Sequence, residues 1–108
     1  MITLPQRQRM SASATELLSV DLSDTVDASE TISSVTSCAE RTSLMSSVTG
    51  EAVKSSAWTH KDGSSVPANQ GVAVTLTAGA IAGTSIIDWV IVTSTSRILR
   101  FASIVLIE

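Results

Sequence analysis

The chain has one cysteine, Cys38, and one histidine, His60. A lone thiol excludes an internal disulfide, and one residue of each kind provides no His or Cys pair at metal-ligand spacing. Tyrosine is absent, and the aromatics are Trp58, Trp89 and Phe101. Sugar-binding and base-stacking surfaces draw on aromatic platforms, so this composition argues against both. Seven Lys or Arg stand against ten Asp or Glu, a net charge of −3. A nucleic-acid binder needs a basic face to neutralise phosphates, and an anionic membrane surface calls for a polybasic patch; neither is present, so no nucleic acid and no membrane partner is expected. The longest apolar runs, near residues 86–92 and 104–107, are too short to span a bilayer. Residues 1–10 are polar, carry two arginines and lack the apolar segment of a secretory signal.

Serine and threonine fill the space these absences leave, with 19 Ser and 13 Thr among 108 residues. Threonine suits strands, and serine suits turns and solvated strand faces. Lys and Glu, which commonly cover exposed helix faces, are scarce, so the composition points to β structure. The length suffices for one compact domain.

Residues 1–14 show no sustained period and read as a flexible N-terminal arm that a partner would order. Residues 15–108 read as the folded domain. Leu18, Val20 and Leu22 alternate with polar residues, the period of a half-buried strand. Residues 23–30 are a polar turn. Residues 31–38 form a second strand candidate, although Ile32, Val35 and Cys38 are spaced by three, as a helix would also allow. Weaker candidates cover residues 43–48 and 54–59. Asp62-Gly63 is a hairpin-turn signal, and Pro67 and Gly71 bracket another turn. Val72, Val74 and Leu76 alternate clearly. Residues 78–83 form a small-residue turn before strands at 85–93 and 97–107, joined by residues 94–96. This spacing of strands and turns predicts a sandwich or barrel.

The last two strands are apolar on both faces. Ile87, Trp89 and Ile91 alternate with Ile86, Val90 and Val92; Leu99, Phe101, Val105 and Ile107 alternate with Ile98, Ile104 and Leu106. A sandwich needs only one buried face per strand, so the second face is expected either to be covered by the arm or by loops or, the favoured reading, to pack on another subunit. Trp89, Ile98, Phe101 and Ile104 are the candidate contact residues.

Catalytic patterns are lacking. Nothing around Cys38 or His60 marks a nucleophile dyad; Cys38 reads as a small buried hydrophobe, and His60, beside a turn, as exposed. Gly79 and Gly83 lack the Lys-Ser/Thr ending of a phosphate loop and read as a tight strand connection. Asp21 and Asp24 flank a strand end, and no pattern supports a two-carboxylate pair. Asp88 is expected at a solvated edge or paired with Arg97 or Arg100. No catalytic residue, cofactor or metal site is assigned, and an enzyme is the least favoured class.

Two stretches carry a resemblance. One is Leu17-Leu18-Ser19-Val20-Asp21-Leu22-Ser23-Asp24 followed by Glu30-Thr31-Ile32-Ser33-Ser34-Val35-Thr36. The other runs from Leu76-Thr77-Ala78-Gly79 through Ala82-Gly83-Thr84-Ser85-Ile86 to Val92-Thr93-Ser94-Thr95-Ser96-Arg97. They resemble the opening strands, the glycine turn and the Thr-Thr-Ser-x-Gly-Arg hairpin of the tailed-phage fibre–tail adaptor family. Ile86 stands where that family carries tyrosine, and Ser96 where it carries glycine. The resemblance implies an all-β, immunoglobulin-like antiparallel sandwich in a virion, at the tail or head–tail connector. It would link fibres or neighbouring virion proteins, as a homo-oligomer in a ring. A capsid decoration (cement) protein and a stand-alone extracellular immunoglobulin-like binding module are the alternatives.

Overall fold

The computed structural model describes residues 2–27, 29–59 and 63–108, with side chains from residue 8 onward. The strands are β1 (Ile2–Met10), β2 (Thr15–Asp21), β3 (Ile32–Glu40), β4 (Met45–Val53), β5 (Trp58–Thr59), β6 (Ser65–Val66), β7 (Gly71–Ala78), β8 (Gly83–Thr93) and β9 (Ile98–Ile107). A four-stranded sheet has the order β1-β9-β8-β3 and a three-stranded sheet the order β2-β7-β4, with β5 and β6 forming a small hairpin. Neighbouring strands are antiparallel except β1, which runs parallel to β9. The chain crosses between the two sheets at β1–β2, β2–β3, β3–β4 and β7–β8, while β8 and β9 stay in one sheet, a connectivity compatible with an immunoglobulin-like sandwich. The segment read as an arm, 1–14, therefore contains a backbone-paired strand, with Met10 opposite Ile107; Met1 lies outside the described residues.

The alternation in sequence becomes the two sides of each sheet. Val72, Val74 and Leu76 of β7 and Leu18 and Val20 of β2 point inward. They meet Ile87, Trp89 and Ile91 of β8 and Phe101, Val105 and Ile107 of β9 in one core. Trp89 lies directly opposite Phe101 in the β8–β9 ladder. Their rings stack at 5.6 Å with an interplanar angle of 11°. The indole N–H donates to Ser103 Oγ at 3.1 Å, which satisfies the one polar atom this side chain brings into the core.

The three-residue spacing in β3 has a structural cause. The register with β8 shifts between Ile32 and Ser34 and again between Val35 and Ser37. Each bulge inserts one extra residue. Ile32, Val35 and Cys38 thereby fall opposite the inward-facing Thr93, Ile91 and Trp89. A spacing that suggests a helix is thus compatible with a twice-bulged strand. Of the strand expected at 54–59, only Trp58–Thr59 forms β5, and the candidate at 43–48 extends to Val53 in β4. The Asp62-Gly63 turn falls partly outside the described residues; Gly63 has φ +89°. The β8–β9 turn places Ser96 at φ +64°, a conformation that ordinarily favours glycine.

Two carboxylates bind loops to this frame. Glu30, 1% exposed, ends the β2–β3 connection. It accepts bonds from Thr93 Oγ1 at 2.6 Å, Asp27 N at 3.1 Å and Arg97 Nε at 2.9 Å, and from Thr95 Oγ1 and Arg97 Nη2. The Arg97 guanidinium, followed by the two threonine hydroxyls, holds this carboxyl well below its ordinary range despite its burial. Glu40 closes the β3–β4 turn, accepting from Thr42 Oγ1 at 2.6 Å, Ser85 Oγ at 2.7 Å, Leu44 N at 2.7 Å and Met45 N at 2.9 Å. Burial pushes the Glu40 pKa up, and those four donors outweigh it, so the net direction is down.

Candidate functional site

The outer side of the β8–β9 pair is the surface that sets this molecule apart. With Trp89 and Phe101 inward, the alternate positions point away from the core. These are Ile86, Val90 and Val92 on β8, and Ile98, Ile104 and Leu106 on β9. The ladder places Ile86 opposite Ile104, and Val92 opposite Ile98. Between these two apolar pairs the ladder sets Asp88 opposite Ala102 and Arg100 opposite Val90, and Leu106 lies opposite Thr84, so charged positions interrupt the apolar ones. Ile98 is 61% exposed, and Ala102, at 4%, is the low point of this face. Small residues of β3 flank it, with Ser37 opposite Val90 and Ala39 opposite Asp88.

The charges on this face are mostly closed into pairs. Arg41 grips Asp88 with two parallel bonds, Nη2 to Oδ1 at 2.6 Å and Nε to Oδ2 at 3.0 Å. Arg9 meets Glu108 at 3.1 Å at the rim, where both are exposed. Arg100 projects from the middle of this face, opposite Val90. The three-stranded sheet presents a different surface. Its outward positions include Thr15 and Ser19 on β2, Thr75 and Thr77 on β7, and Thr49 on β4. Thr15 and Thr77 share a hydrogen bond of 3.0 Å between their hydroxyls.

Trp89 and Phe101 were expected at a subunit contact, and the structure corrects this. They are 0% and 1% exposed and fill the centre of the core. Ile98 and Ile104 do lie on the outer face. Period-two alternation separates the two sides of β8 and β9 but does not say which side is inward when both are apolar. The bulk of the aromatic rings, matched to the space between the sheets, decides it.

The Asp88 expectation is corrected as well: its partner is Arg41, from the turn after β3, while Arg97 serves Glu30. Cys38 is half-buried on the inner side of β3 opposite Trp89. Burial, with a smaller contribution from the Glu51 charge, pushes its thiol up to about 12, so it stays protonated and a poor nucleophile. His60 lies outside the described residues. Gly79 and Gly83 flank the β7–β8 turn, where a Cβ on Gly79 would come within 2.7 Å of Leu44 O. Close packing explains that glycine. Among the described residues, no three His, Cys, Asp or Glu side chains group to hold a metal.

One depression, of about 310 Å³, is lined by Val53, Lys54, Ser55, Ser56, Ala57 and Trp58. It lies in the loop that replaces the strand expected at 54–57. The Lys54 ammonium sits 4.8 Å from the Trp58 ring centroid, a cation–π contact that occupies the only charged side chain in the lining. The depression has a hydroxyl rim and no carboxylate, so it offers no acid–base pair.

Fold and surface together define a class: an immunoglobulin-like sandwich module with one hydroxyl-rich outer face and one apolar outer face. No family model matches this chain, and no curated protein matches it.

Proposed function

We propose that this chain is a structural module of a bacteriophage virion, an adaptor that docks the apolar outer face of its four-stranded sheet onto a neighbouring virion protein. The observation that carries this reading is the set of Ile86, Val90, Val92, Ile98, Ile104 and Leu106 beside the fully packed core. Apolar side chains gathered on the outer side of a sheet, beyond those the core uses, support an interaction site. The resemblance of residues 17–36 and 76–97 to fibre–tail adaptors supplies the virion, and the net charge of −3 favours a protein partner over nucleic acid.

The test is the copy number of the chain in purified particles, by quantitative mass spectrometry against the major capsid protein. The adaptor reading expects a low number, matching a tail or connector ring. A number comparable to the capsid protein would replace it with a cement role. Absence from particles would overturn both and leave a stand-alone binding module.

A further inference from the structure

Among the described residues, the two larger sheets have four outer edges, and three of them are blunted. β3 is bulged twice against β8. β4 shifts register at two places, with Gly50 at φ +70° inside the second. β1 breaks register between Thr3 and Arg7, and Pro5 in that break has no N–H to offer. Sheets use such bulges and prolines to keep foreign strands off their edges. β2 has neither device. Its 7 residues, TELLSVD, contain no proline and no lysine, and they pair with β7 without a break. Among the described residues, no strand pairs with its other side.

The bonding pattern says which groups this edge presents. Ala14 O accepts from Ala78 N, and Leu22 N donates to Gln70 O, both at 2.9 Å. These bonds turn the even-numbered residues towards β7, so Thr15, Leu17 and Ser19 point their N–H and C=O groups away from it. Leu17 O meets the Gln8 side-chain amide at 3.4 Å, a long bond where a ladder would supply a short one.

The sandwich also leaves room beside this edge. β3 lies against β4, whereas β1 and β2 barely meet. Four strands over three, matched on the β3–β4 side, leave β1 overhanging with no strand across from it. Two side chains record the gap. Glu16 shares its side of β2 with the buried Leu18 and Val20, yet it is exposed. Gln8 lies opposite the inward-facing Val105 and is only half-buried. Polar residues thus stand at inward positions on both strands that border the gap.

A second copy does not fit there. Antiparallel pairing of β2 with its own counterpart would carry the β1 of each copy into the β9 of the other, because both overhang on the same side. A single extended strand brings no such overhang.

We infer that the open edge of β2 takes one extended strand of a separate polypeptide, beneath β1, which completes a second four-stranded sheet. Main-chain bonds to Leu17 and Ser19 supply the affinity. The strand is aliphatic beside Leu17, which is 57% exposed. It is basic beside Glu16, because opposite charges across a ladder stabilise the pairing. This surface is distinct from the outer side of β8 and β9, so its failure leaves the adaptor reading standing.

The experiment is nitrogen-15 NMR of the full chain, titrated with a synthetic peptide of alternating valine and threonine with lysine at each end. The amides of Leu17 and Ser19 are expected to shift and to gain protection from hydrogen exchange, while those of β3 and β4 stay unchanged. The same peptide with every backbone nitrogen methylated should not bind. Ser19→Pro removes an outward donor but no bond to β7, and should weaken binding about tenfold. Replacing the peptide's lysines with glutamates should weaken binding to the wild type about threefold, and Glu16→Lys should reverse that order, a readout independent of whether Ser19→Pro folds. Protection at β3 or β4 instead, equal binding of the methylated peptide, an unchanged order in Glu16→Lys, or no protection at millimolar peptide would overturn the inference. So would protection of Leu17 and Ser19 that rises with protein concentration alone, which would assign the edge to a second copy.

Discussion

The two outer faces of this sandwich start from the same rule and end in opposite chemistry. On the three-stranded sheet, inward Val72, Val74 and Leu76 alternate with outward Ala73, Thr75 and Thr77. On the four-stranded sheet, inward Ile87, Trp89 and Ile91 alternate with outward Ile86, Asp88, Val90 and Val92. The first face has Leu17, 57% exposed, as its one large exposed apolar side chain. The second likewise has one, Ile98 at 61%, but adds Ile86, Val90, Val92, Ile104 and Leu106 as partly buried apolar side chains around Asp88 and Arg100. Hydroxyls bond water or each other at little net cost, whereas aliphatic surface in water keeps a driving force for association. The outward strand positions thus differ in chemistry between the sheets, hydroxyl-rich on one and mainly aliphatic on the other.

The comparison breaks most completely if the shared core is removed. Trp89→Ala should cost about 3–5 kcal/mol, enough to unfold much of a small domain, and urea denaturation would measure it. If Trp89 were instead a surface contact, the midpoint would hardly move.

Acid should loosen one end of both sheets next. Glu30 is held below its ordinary pKa by Arg97 and by the Thr93 and Thr95 hydroxyls. Its contribution is therefore fully present above its unfolded value of about 4.3 and is lost as pH falls below that towards the folded value. The wild type should lose urea resistance between neutral pH and pH 3, and Glu30→Gln should be less stable at neutrality with a shallower acid dependence. Parallel pH profiles for the two proteins would remove Glu30 from the account.

Exchanging the faces sharpens the comparison with less effect on stability. Ile98→Thr with Ile104→Thr should change the unfolding free energy by about 1 kcal/mol or less, as expected for exposed strand positions, while sharply reducing retention on a hydrophobic column. Thr75→Val should raise retention, and equal retention of all three proteins would show that the faces do not differ in practice. The smallest effect belongs to the hydroxyl face itself. Thr15→Ala removes the 3.0 Å bond to Thr77 and should cost a few tenths of a kcal/mol, the scale of one cross-strand pair.

Much of the sandwich could be read from spacing. The strands at 72–77, 85–93 and 97–107, the turn at 94–96 and the inward set of β7 follow from period-two alternation and turn chemistry, both local properties. β3 was recognisable from its β-branched residues, but its bulges were not, because a bulge is defined only against the partner strand. The apolar character of both sides of β8 and β9 was equally visible. Of the candidate contact residues, Ile98 and Ile104 face outward, and Trp89 and Phe101 face inward.

What sequence alone determined about this protein is its β class, the places where the chain turns, and the surplus of apolar side chains in its last two strands. Those features arise from interactions within a few residues along the chain. Tertiary structure decided which side of those strands is core, that Arg41 rather than Arg97 or Arg100 meets Asp88, and that Arg97 reaches Glu30. The Arg41–Asp88 partners are 47 positions apart and the Arg97–Glu30 partners 67. At such separations no local pattern constrains the pairing. It is set by which strands cross to which sheet and by whether an indole fits between them.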